Sequence, residues 1–239
     1  MPSIALSVIL PAYNEAVRLP PYLSAVRTYL DACQRGTYEV VVVDDGSRDG
    51  MAADLQRCAA DWPEFRILRH EENRGKGAAV RTGVLASRGE VLLFADADGA
   101  TPIEEHARLA AAIADGADVA IGSRLLSGEG IHRARSPMRG VTGWLFALVA
   151  RRLLRLPVRD TQCGFKMFRG DAGRRLFSLT GESRYLFDLE LLAAARRLGY
   201  QIVEVPINWH EVPGGHLHPL VELPRIAVGL WRLRRLGRG

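Results

Sequence analysis

Three short apolar stretches of the sequence are each followed at once by polar and acidic residues. Pro11-Ala-Tyr-Asn-Glu15 follows the first, Asp44-Asp-Gly-Ser47 the second and Asp96-Ala-Asp98 the third. A single carboxylate in such a position is commonly a turn or helix-capping group. Three acidic turns after successive strands instead predict one anionic crevice, which needs a metal ion or several hydroxyl donors as its partner.

Asp96 and Asp98 are the most informative pair. They are separated by one residue, so we expect both carboxylates close together at a strand end, where hard oxygen ligands can hold Mg²⁺ or Mn²⁺. A metal ion bound there would stabilise the charge that develops on a departing nucleotide diphosphate. That is the chemistry of sugar transfer from a nucleotide sugar. A dinucleotide-binding fold is disfavoured because no Gly-x-Gly-x-x-Gly pattern follows the first apolar stretch.

The elements that must position these carboxylates are short strands alternating with helices. Apolar runs predict strands at Ser7–Leu10, Glu39–Val43, Ile67–Leu68, Glu90–Ala95, Asp118–Ile121 and Ile202–Ile207. Helical spacing predicts helices at Leu19–Gln34, Met51–Asp61, Ala78–Ala86, Arg139–Arg155, Leu186–Leu198 and Pro219–Leu236. This order predicts an α/β fold around a mostly parallel sheet. Ligands of such sheets collect at the carboxyl ends of the strands, where the acidic turns lie.

Length and composition are typical of a globular protein. A chain of 239 residues can bury a hydrophobic core, and one domain over residues 1–239 is expected. The high aliphatic content excludes a disordered or fibrous protein. The three cysteines have an odd count and no metal-like spacing, which disfavours a disulfide framework or zinc site and indicates a reducing cytosol.

The net charge of +5 comes almost entirely from arginine, since Lys76 and Lys166 are the only lysines. Arginines cluster within residues 151–159 and 232–238, beside apolar helical stretches, which suits an anionic membrane surface. A solvated arginine-rich face is the alternative. No apolar run approaches the roughly 18 residues of a membrane span, and Met1 starts no signal peptide. We therefore expect amphipathic interfacial helices on the cytoplasmic face of a membrane, and no nucleic acid partner.

The acidic turns, taken together with further motifs, resemble those of family-2 inverting glycosyltransferases with the GT-A fold. The further motifs are Asn73-Arg-Gly-Lys-Gly-Ala-Ala-Val-Arg81, Gly122-Ser-Arg124, Arg159-Asp-Thr-Gln-Cys-Gly-Phe-Lys-Met-Phe168 and Phe187-Asp-Leu-Glu190. The run from Asp160 to Lys166 and the segment Trp209-His-Glu-Val-Pro-Gly-Gly-His216 resemble dolichyl-phosphate β-glucosyltransferases in particular. The resemblance spans residues 7–230 and implies transfer of glucose from UDP-glucose to a polyprenyl phosphate with inversion.

The same resemblance implies a role for each site residue. The donor and its metal would be bound by Pro11, Tyr13, Glu15, Val42, Asp44, Asp45, Lys76, Asp96, Ala97, Asp98 and Asp188. Asp96 and Asp98 would hold the Mg²⁺ or Mn²⁺, with Asp98 the expected direct ligand. The acceptor phosphate would be bound by Arg124, Arg135 and Arg139. Asp160 would orient groups near the reaction centre, with general base as the lesser interpretation, because a phosphate acceptor is already an anion near neutral pH.

The resemblance also divides the chain and shows two departures. Residues 1–125 would bind the nucleotide sugar, residues 126–215 the acceptor, and residues 216–239 would form a basic amphipathic helix. Eukaryotic relatives carry an amino-terminal membrane anchor, whereas this chain begins close to its first strand. They also tend to have Gly-Ser-Lys where this sequence has Gly214-Gly-His216, so His216 or His218 would replace the lysine only in part. The preference among polyprenols stays open.

Several alternatives to the glucosyltransferase prediction remain. The same fold could use GDP-mannose as a polyprenyl-phosphate mannosyltransferase, or could serve a different acceptor. A nucleotidyltransferase is disfavoured because its glycine-rich signature after the first strand is missing. A non-catalytic sugar- or lipid-binding module is disfavoured because the acidic positions are intact.

Overall fold

The computed structural model describes residues 3–134, 151–212 and 229. The strands are β1 (Leu6–Ala12), β2 (Tyr38–Asp44), β3 (Phe65–Arg69), β4 (Val91–Ala95), β5 (Val119–Ser123), β6 (Arg133–Ala134), β7 (Phe165–Arg169), β8 (Ile202–Pro206) and β9 (Trp209–His210). The helices are α1 (Leu19–Cys33), α2 (Met51–Ala59), α3 (Lys76–Ala86), α4 (His106–Ala114), α5 (Gly170–Leu179) and α6 (Phe187–Arg197), with a 3-10 turn at Ile103–Glu105 and helical residues at 151–154.

Seven strands form the central sheet in the order β3-β2-β1-β4-β7-β5-β8. Six of them run in one direction, and β7 is antiparallel to both of its neighbours. Strands β6 and β9 form a separate parallel pair. The mixed, mostly parallel sheet with surrounding helices confirms the predicted fold class.

The core lies on the central strands because helices pack against them. Val8, Ile9 and Leu10 of β1 and the four valines of β2 are fully buried. Helix α3 packs on β1 and β2, and α4 packs on β5. A strand enclosed in this way can be apolar along its whole length, which explains why β1 and β2 could be predicted as continuous apolar runs.

Strand β7 brings a loop to the edge where its parallel neighbours end. It runs in the opposite direction, so its first residue, Phe165, pairs with Ala95, the last residue of β4. The Asp96 N–H then donates to the Gly164 carbonyl at 2.8 Å. Residues 160–164 therefore lie beside the acidic turn that follows β4.

The predicted elements differ from the observed ones in a few places. Strand β7 and helices α4 and α5 were not predicted, and Lys166 interrupts the apolar character of β7. Helix α3 begins at Lys76, two residues before the predicted start, since Gly75 precedes it with φ +99°. The predicted helix Arg139–Arg155 is described only over residues 151–155, where Arg155 has left the helix with φ 53°. The predicted helix Pro219–Leu236 lies outside the described residues apart from Gly229. In the described ranges, no helix combines the length and apolar character that crossing a membrane requires.

Candidate active site

The turns after β1 and β2 are held together by their own side chains. Asn14 has φ 55°, a left-handed conformation that asparagine adopts more readily than most residues. Its N–H donates to Ser47 Oγ at 2.9 Å, and its Oδ1 accepts the Arg48 N–H at 2.9 Å. Asp44 accepts the Ser47 N–H at 2.8 Å, and Arg69 Nε lies 3.3 Å from its other oxygen. The two turns therefore form one rigid rim.

Asp45 connects this rim to the loop that carries Lys76. Its carboxylate accepts the Arg74 N–H at 2.9 Å and the Gly75 N–H at 2.8 Å, and it lies 2.6 Å from His70 Nδ1. The residue is almost fully buried. The structure thus gives the Asp45 carboxylate three partners within the protein, and these fix the start of α3.

Asp96 and Asp98 lie directly after β4 at the carboxyl edge of the sheet. Lys76 Nζ lies 2.6 Å from Asp96 Oδ1, and the Ala100 N–H donates to Asp98 Oδ1 at 3.1 Å. Burial and then the Asp96 charge raise the pKa of Asp98 above its usual value. Burial alone would lower the pKa of Lys76, but Asp96, followed by Asp188, raises it instead. Lys76 is therefore paired with Asp96, and its charge also stabilises the ionised form of Asp98.

Gly164 provides the space in which the Asp96 carboxylate lies. A Cβ atom added at Gly164 would overlap the Asp96 carboxylate carbon and both of its oxygens. Any larger residue at this position would therefore displace Asp96. The glycine of the Asp160–Lys166 motif thus has a steric reason, because the backbone before β7 approaches the acidic turn closely.

A buried ion pair lies behind the acidic turn. Lys166 of β7 is fully buried, and its Nζ lies 2.6 Å from Asp188 Oδ1 in the first turn of α6. Lys166 Nζ also donates to the Cys163 carbonyl. Burial raises the pKa of Asp188, and the Lys166 charge opposes that shift only in part. Asp188 is therefore partnered by a lysine, beyond the helix-end role that its position in α6 allows.

Arg124 and Asp160 form a second, fully engaged pair at the same edge. Asp160 accepts three bonds from Arg124: from the backbone N–H at 2.9 Å, from Nε at 2.8 Å and from Nη2 at 2.9 Å. Burial alone would raise the pKa of Asp160, but the Arg124 charge and these bonds hold it below its usual value. A carboxylate so stabilised as an anion is a poor proton acceptor, which favours the orienting role over the general-base role.

The segment Asn208–His210 connects the two parts of this edge. The His210 N–H donates to the Ala100 carbonyl at 3.0 Å, next to the acidic turn. Asn208 accepts the His132 N–H at 2.6 Å and donates to Glu105 at 2.7 Å. The Trp209 ring centroid lies 5.8 Å from the Arg124 guanidinium carbon, within cation–π range.

The remaining predicted site residues differ in their accessibility. Tyr13 is exposed, and Glu15 pairs with Arg18. Val42 is fully buried and Pro11 is buried, so contact of a nucleotide with either strand there would use backbone atoms. Ala97 is also buried. Arg135 and Arg139 lie outside the described residues.

Sequence reasoning missed two charged residues that support the site, Lys166 and Glu204. Each lies within a short strand, between apolar neighbours. A charge in such a position is costly to bury without a partner, so the interrupted apolar pattern was the available signal.

The comparisons with known proteins agree with this geometry. The family model described as glycosyl transferase family 2 matches residues 7–177. A dolichyl-phosphate β-glucosyltransferase of Homo sapiens is 37% identical over an alignment of 260 residues, gaps included, which covers 98% of this chain and 79% of the relative. A dolichyl-phosphate β-glucosyltransferase of Dictyostelium discoideum is 35% identical over 243 residues, covering 97% of this chain and 74% of the relative.

Solved structures show the same fold. Glucosyl-3-phosphoglycerate synthase from Mycobacterium tuberculosis, in complex with Mn²⁺, UDP-glucose and phosphoglyceric acid, has a TM-score of 0.69 at 19% identity. The match covers 98% of this chain and 79% of that one. A mannosyltransferase from Pyrobaculum calidifontis in complex with GDP-mannose and Mn²⁺ has a TM-score of 0.62 at 20% identity, over 94% of this chain and 61% of that one. These likenesses confirm the GT-A architecture.

Proposed function

Since the chain belongs to glycosyl transferase family 2, with dolichyl-phosphate β-glucosyltransferases as relatives over nearly its whole length, we propose that this glycosyltransferase moves glucose from UDP-glucose to a polyprenyl phosphate. One observation supports the proposal above the others. An acidic turn suited to a metal-bound diphosphate and an arginine suited to an anionic acceptor lie at the same edge of the sheet. Burial lowers the pKa of Arg124, and the Asp160 charge raises it. The Asp96 charge raises the same pKa by a smaller amount.

The acidic turn fits a divalent metal ion. Burial and the Asp96 charge disfavour the ionised form of Asp98, and a cation bound there would relieve that cost. The described residues contain no cluster of three or more His, Cys, Asp or Glu residues placed to hold a metal. Asp98 and Asp96 would therefore supply one or two carboxylates, and the donor diphosphate the remaining ligands, as is usual for Mg²⁺. When bound, Mg²⁺ or Mn²⁺ neutralises the charge of the leaving diphosphate.

The protein's own residues would align the two reactants for a single displacement. A phosphate oxygen of the acceptor attacks the anomeric carbon, the bond from that carbon to the diphosphate breaks, and its electron pair leaves with UDP. The configuration inverts and gives a β-linked sugar phosphate. No proton has to be removed from the acceptor, which matches an Asp160 that is committed to Arg124. Residues 1–125 would form the donor half and residues 126–215 the acceptor half.

The decisive experiment is a donor panel with a short polyprenyl phosphate. UDP-glucose, GDP-mannose and other nucleotide sugars are each incubated with the protein and Mg²⁺ or Mn²⁺, and the lipid products are identified by mass. We expect a hexosyl product with UDP-glucose. A product from GDP-mannose alone would replace the donor assignment, and no lipid product from any donor would contradict the acceptor assignment.

A peripheral position on the cytoplasmic face of a membrane is also part of the proposal. Arg151, Arg152 and Arg155 line a cavity of about 360 Å³ with Leu156. Arg152 and Arg155 are exposed, and among the described residues none of the three arginines has an acidic partner, which supports contact with lipid phosphates. Each basic residue near an anionic surface contributes about 1 kcal/mol.

Flotation with anionic liposomes tests this position. The triple variant Arg151→Ala, Arg152→Ala, Arg155→Ala should bind about 100-fold more weakly at low salt, since it loses three such contributions. The matched control replaces three exposed arginines elsewhere in the chain, Arg35, Arg81 and Arg175, so that the net charge is identical. Equal losses in both triple variants would show that only the net charge matters and would contradict a defined membrane-facing surface.

A further inference from the structure

Glu204 is a carboxylate that the reaction scheme above does not use. It lies on β8, where its backbone pairs with Ile121 of β5. Its Oε1 accepts the Ser123 hydroxyl at 2.6 Å and the Asp160 N–H at 2.8 Å, while its Oε2 accepts the Arg159 N–H at 2.7 Å. All three donors are uncharged, and within the described residues Glu204 forms no ion pair.

These donors belong to the two chain segments that hold Arg124. Ser123 directly precedes Arg124, and its Oγ also accepts the Leu125 and Leu126 N–H groups, each at 3.2 Å. The Arg159–Asp160 segment carries the carboxylate that accepts three bonds from Arg124. A single side chain on β8 therefore fixes both the backbone that carries the arginine and the position of its counter-ion.

Fixing an arginine matters when it has to recognise a phosphate. Asp160 accepts from Nε and Nη2 of Arg124, so an acceptor phosphate would have to be met by the other N–H groups of the planar guanidinium, and a displaced guanidinium would lose that geometric match. Ordering a long side chain on binding also costs affinity, which a preorganised side chain avoids. Arg124 is held by its bonds to Asp160 and by its cation–π contact with Trp209. Glu204 in turn holds the two chain segments that carry Arg124 and Asp160.

We propose that Glu204 is a positioning residue for the acceptor, acting through Ser123 and Asp160 on Arg124 without touching either substrate. The inference rests on the proposed function, because it takes Arg124 as the group that binds the acceptor phosphate. It assigns to β8 a part in acceptor recognition.

The test variant is Glu204→Gln, which keeps the side-chain volume. Its amide nitrogen must face a donor in either orientation, because both carboxylate oxygens accept a backbone N–H. At least one bond to the 159–160 segment is therefore lost. We expect the apparent acceptor constant to rise about tenfold, which is the loss of about one hydrogen bond to a charged group, while UDP affinity by calorimetry and kcat stay near wild type.

The chain offers a matched control at the opposite edge of the sheet. Glu39 accepts the Ser7 hydroxyl at 2.7 Å and the Arg88 N–H at 2.6 Å, so it also joins chain segments through a hydroxyl and a backbone N–H, near the start of β2 and away from the acidic turns. Unlike Glu204 it also pairs with the side chains of Arg66 and Arg88, each at 2.9 Å, so its loss should cost at least as much stability. Glu39→Gln should lower the melting temperature without raising the acceptor constant relative to UDP affinity. An equal rise in the acceptor constant for both variants would reduce Glu204 to a general structural role and overturn the inference.

A double-mutant cycle with Arg124→Ala separates an indirect effect from a direct one. If Glu204 acts only through Arg124, then Glu204→Gln adds nothing to the acceptor constant once Arg124 is alanine. Additive effects would overturn the inference. If Glu204→Gln does not fold, Ser123→Ala takes its place, with a smaller rise expected and the same non-additivity, and an unchanged acceptor constant would count against the inference. A wild-type protein that forms no lipid product would instead contradict the proposed function.

Discussion

Two carboxylates at the same sheet edge, Asp98 and Asp160, have opposite electrostatic surroundings. Asp98 follows β4, where burial and the Asp96 charge raise its pKa. The Ala100 N–H and the Lys76 charge oppose that shift only in part. Asp160 is buried as well, but three bonds from Arg124 and the arginine charge outweigh burial and lower its pKa. Burial thus acts in the same direction on both carboxylates, and the partners decide the outcome.

This difference separates a binding carboxylate from a supporting one. A carboxylate whose charge the protein stabilises poorly gains most from an incoming cation. A carboxylate whose charge is already satisfied gains little, but its removal leaves the partner without a counter-ion. In the proposed assignment, the donor side of the edge would therefore receive the cation, and the acceptor side would hold an arginine in place.

The largest expected effect is on turnover, from Asp98→Asn. An amide has the volume of the carboxylate but loses metal affinity, so activity should fall about 10³-fold or more while the fold is retained. Turnover at saturating Mg²⁺ and the metal-dependent stabilisation by UDP in thermal melts would both be measured. Activity near wild type would contradict the metal assignment, and Asp98 would then not differ from Asp160 in binding a cation.

Asp160→Asn should have its main effect on stability. Removing one partner of a fully buried ion pair typically costs about 3 to 5 kcal/mol, and because 26% of the Arg124 side chain is exposed, the loss here should lie below that range. The free energy of unfolding, measured by urea denaturation, should therefore fall far more in this variant than in Asp98→Asn. Equal losses in the two variants would show that the two carboxylates do not differ as their surroundings indicate.

Arg124→Ala sharpens the distinction between donor and acceptor. The loss of charged hydrogen bonds to the acceptor phosphate should raise the apparent acceptor constant by about 10-fold to 100-fold. UDP affinity, measured by calorimetry, should stay near wild type. If both constants worsen equally, Arg124 belongs to the donor side and the proposed assignment of the two sides is wrong.

The positions of the residues proposed for the donor side could be predicted from sequence more completely than those proposed for the acceptor side. Asp96 and Asp98 follow an apolar run directly, so local sequence places them at the end of a parallel strand. The Arg124–Asp160 pair depends on β7 running against its neighbours, and β7 carries Lys166 where an apolar residue is expected. The partner of Lys166, Asp188, lies on helix α6, 22 residues farther along the chain. Local sequence patterns do not predict such pairs, because the fold brings together residues that lie far apart in the chain.

The smallest expected effect concerns the pH dependence of stability. The raised pKa of Asp98 means that the folded protein binds more protons than the unfolded chain between the usual and the raised value. The Asp98 contribution to stability is therefore lost as the pH rises through that window, whereas the Asp160 contribution, with its lowered pKa, increases as the pH rises through its own window.

Asp98→Asn removes only the first of these contributions. Its melting temperature relative to wild type should therefore increase from pH 4 to pH 7. UDP with Mn²⁺ should stabilise wild type at pH 7 and leave the variant unchanged, because the ion compensates the carboxylate charge that the protein leaves uncompensated. A constant difference between the two melting temperatures across this range would show that the pKa of Asp98 is not raised in the folded protein. Only the lowered pKa of Asp160 would then distinguish the two carboxylates.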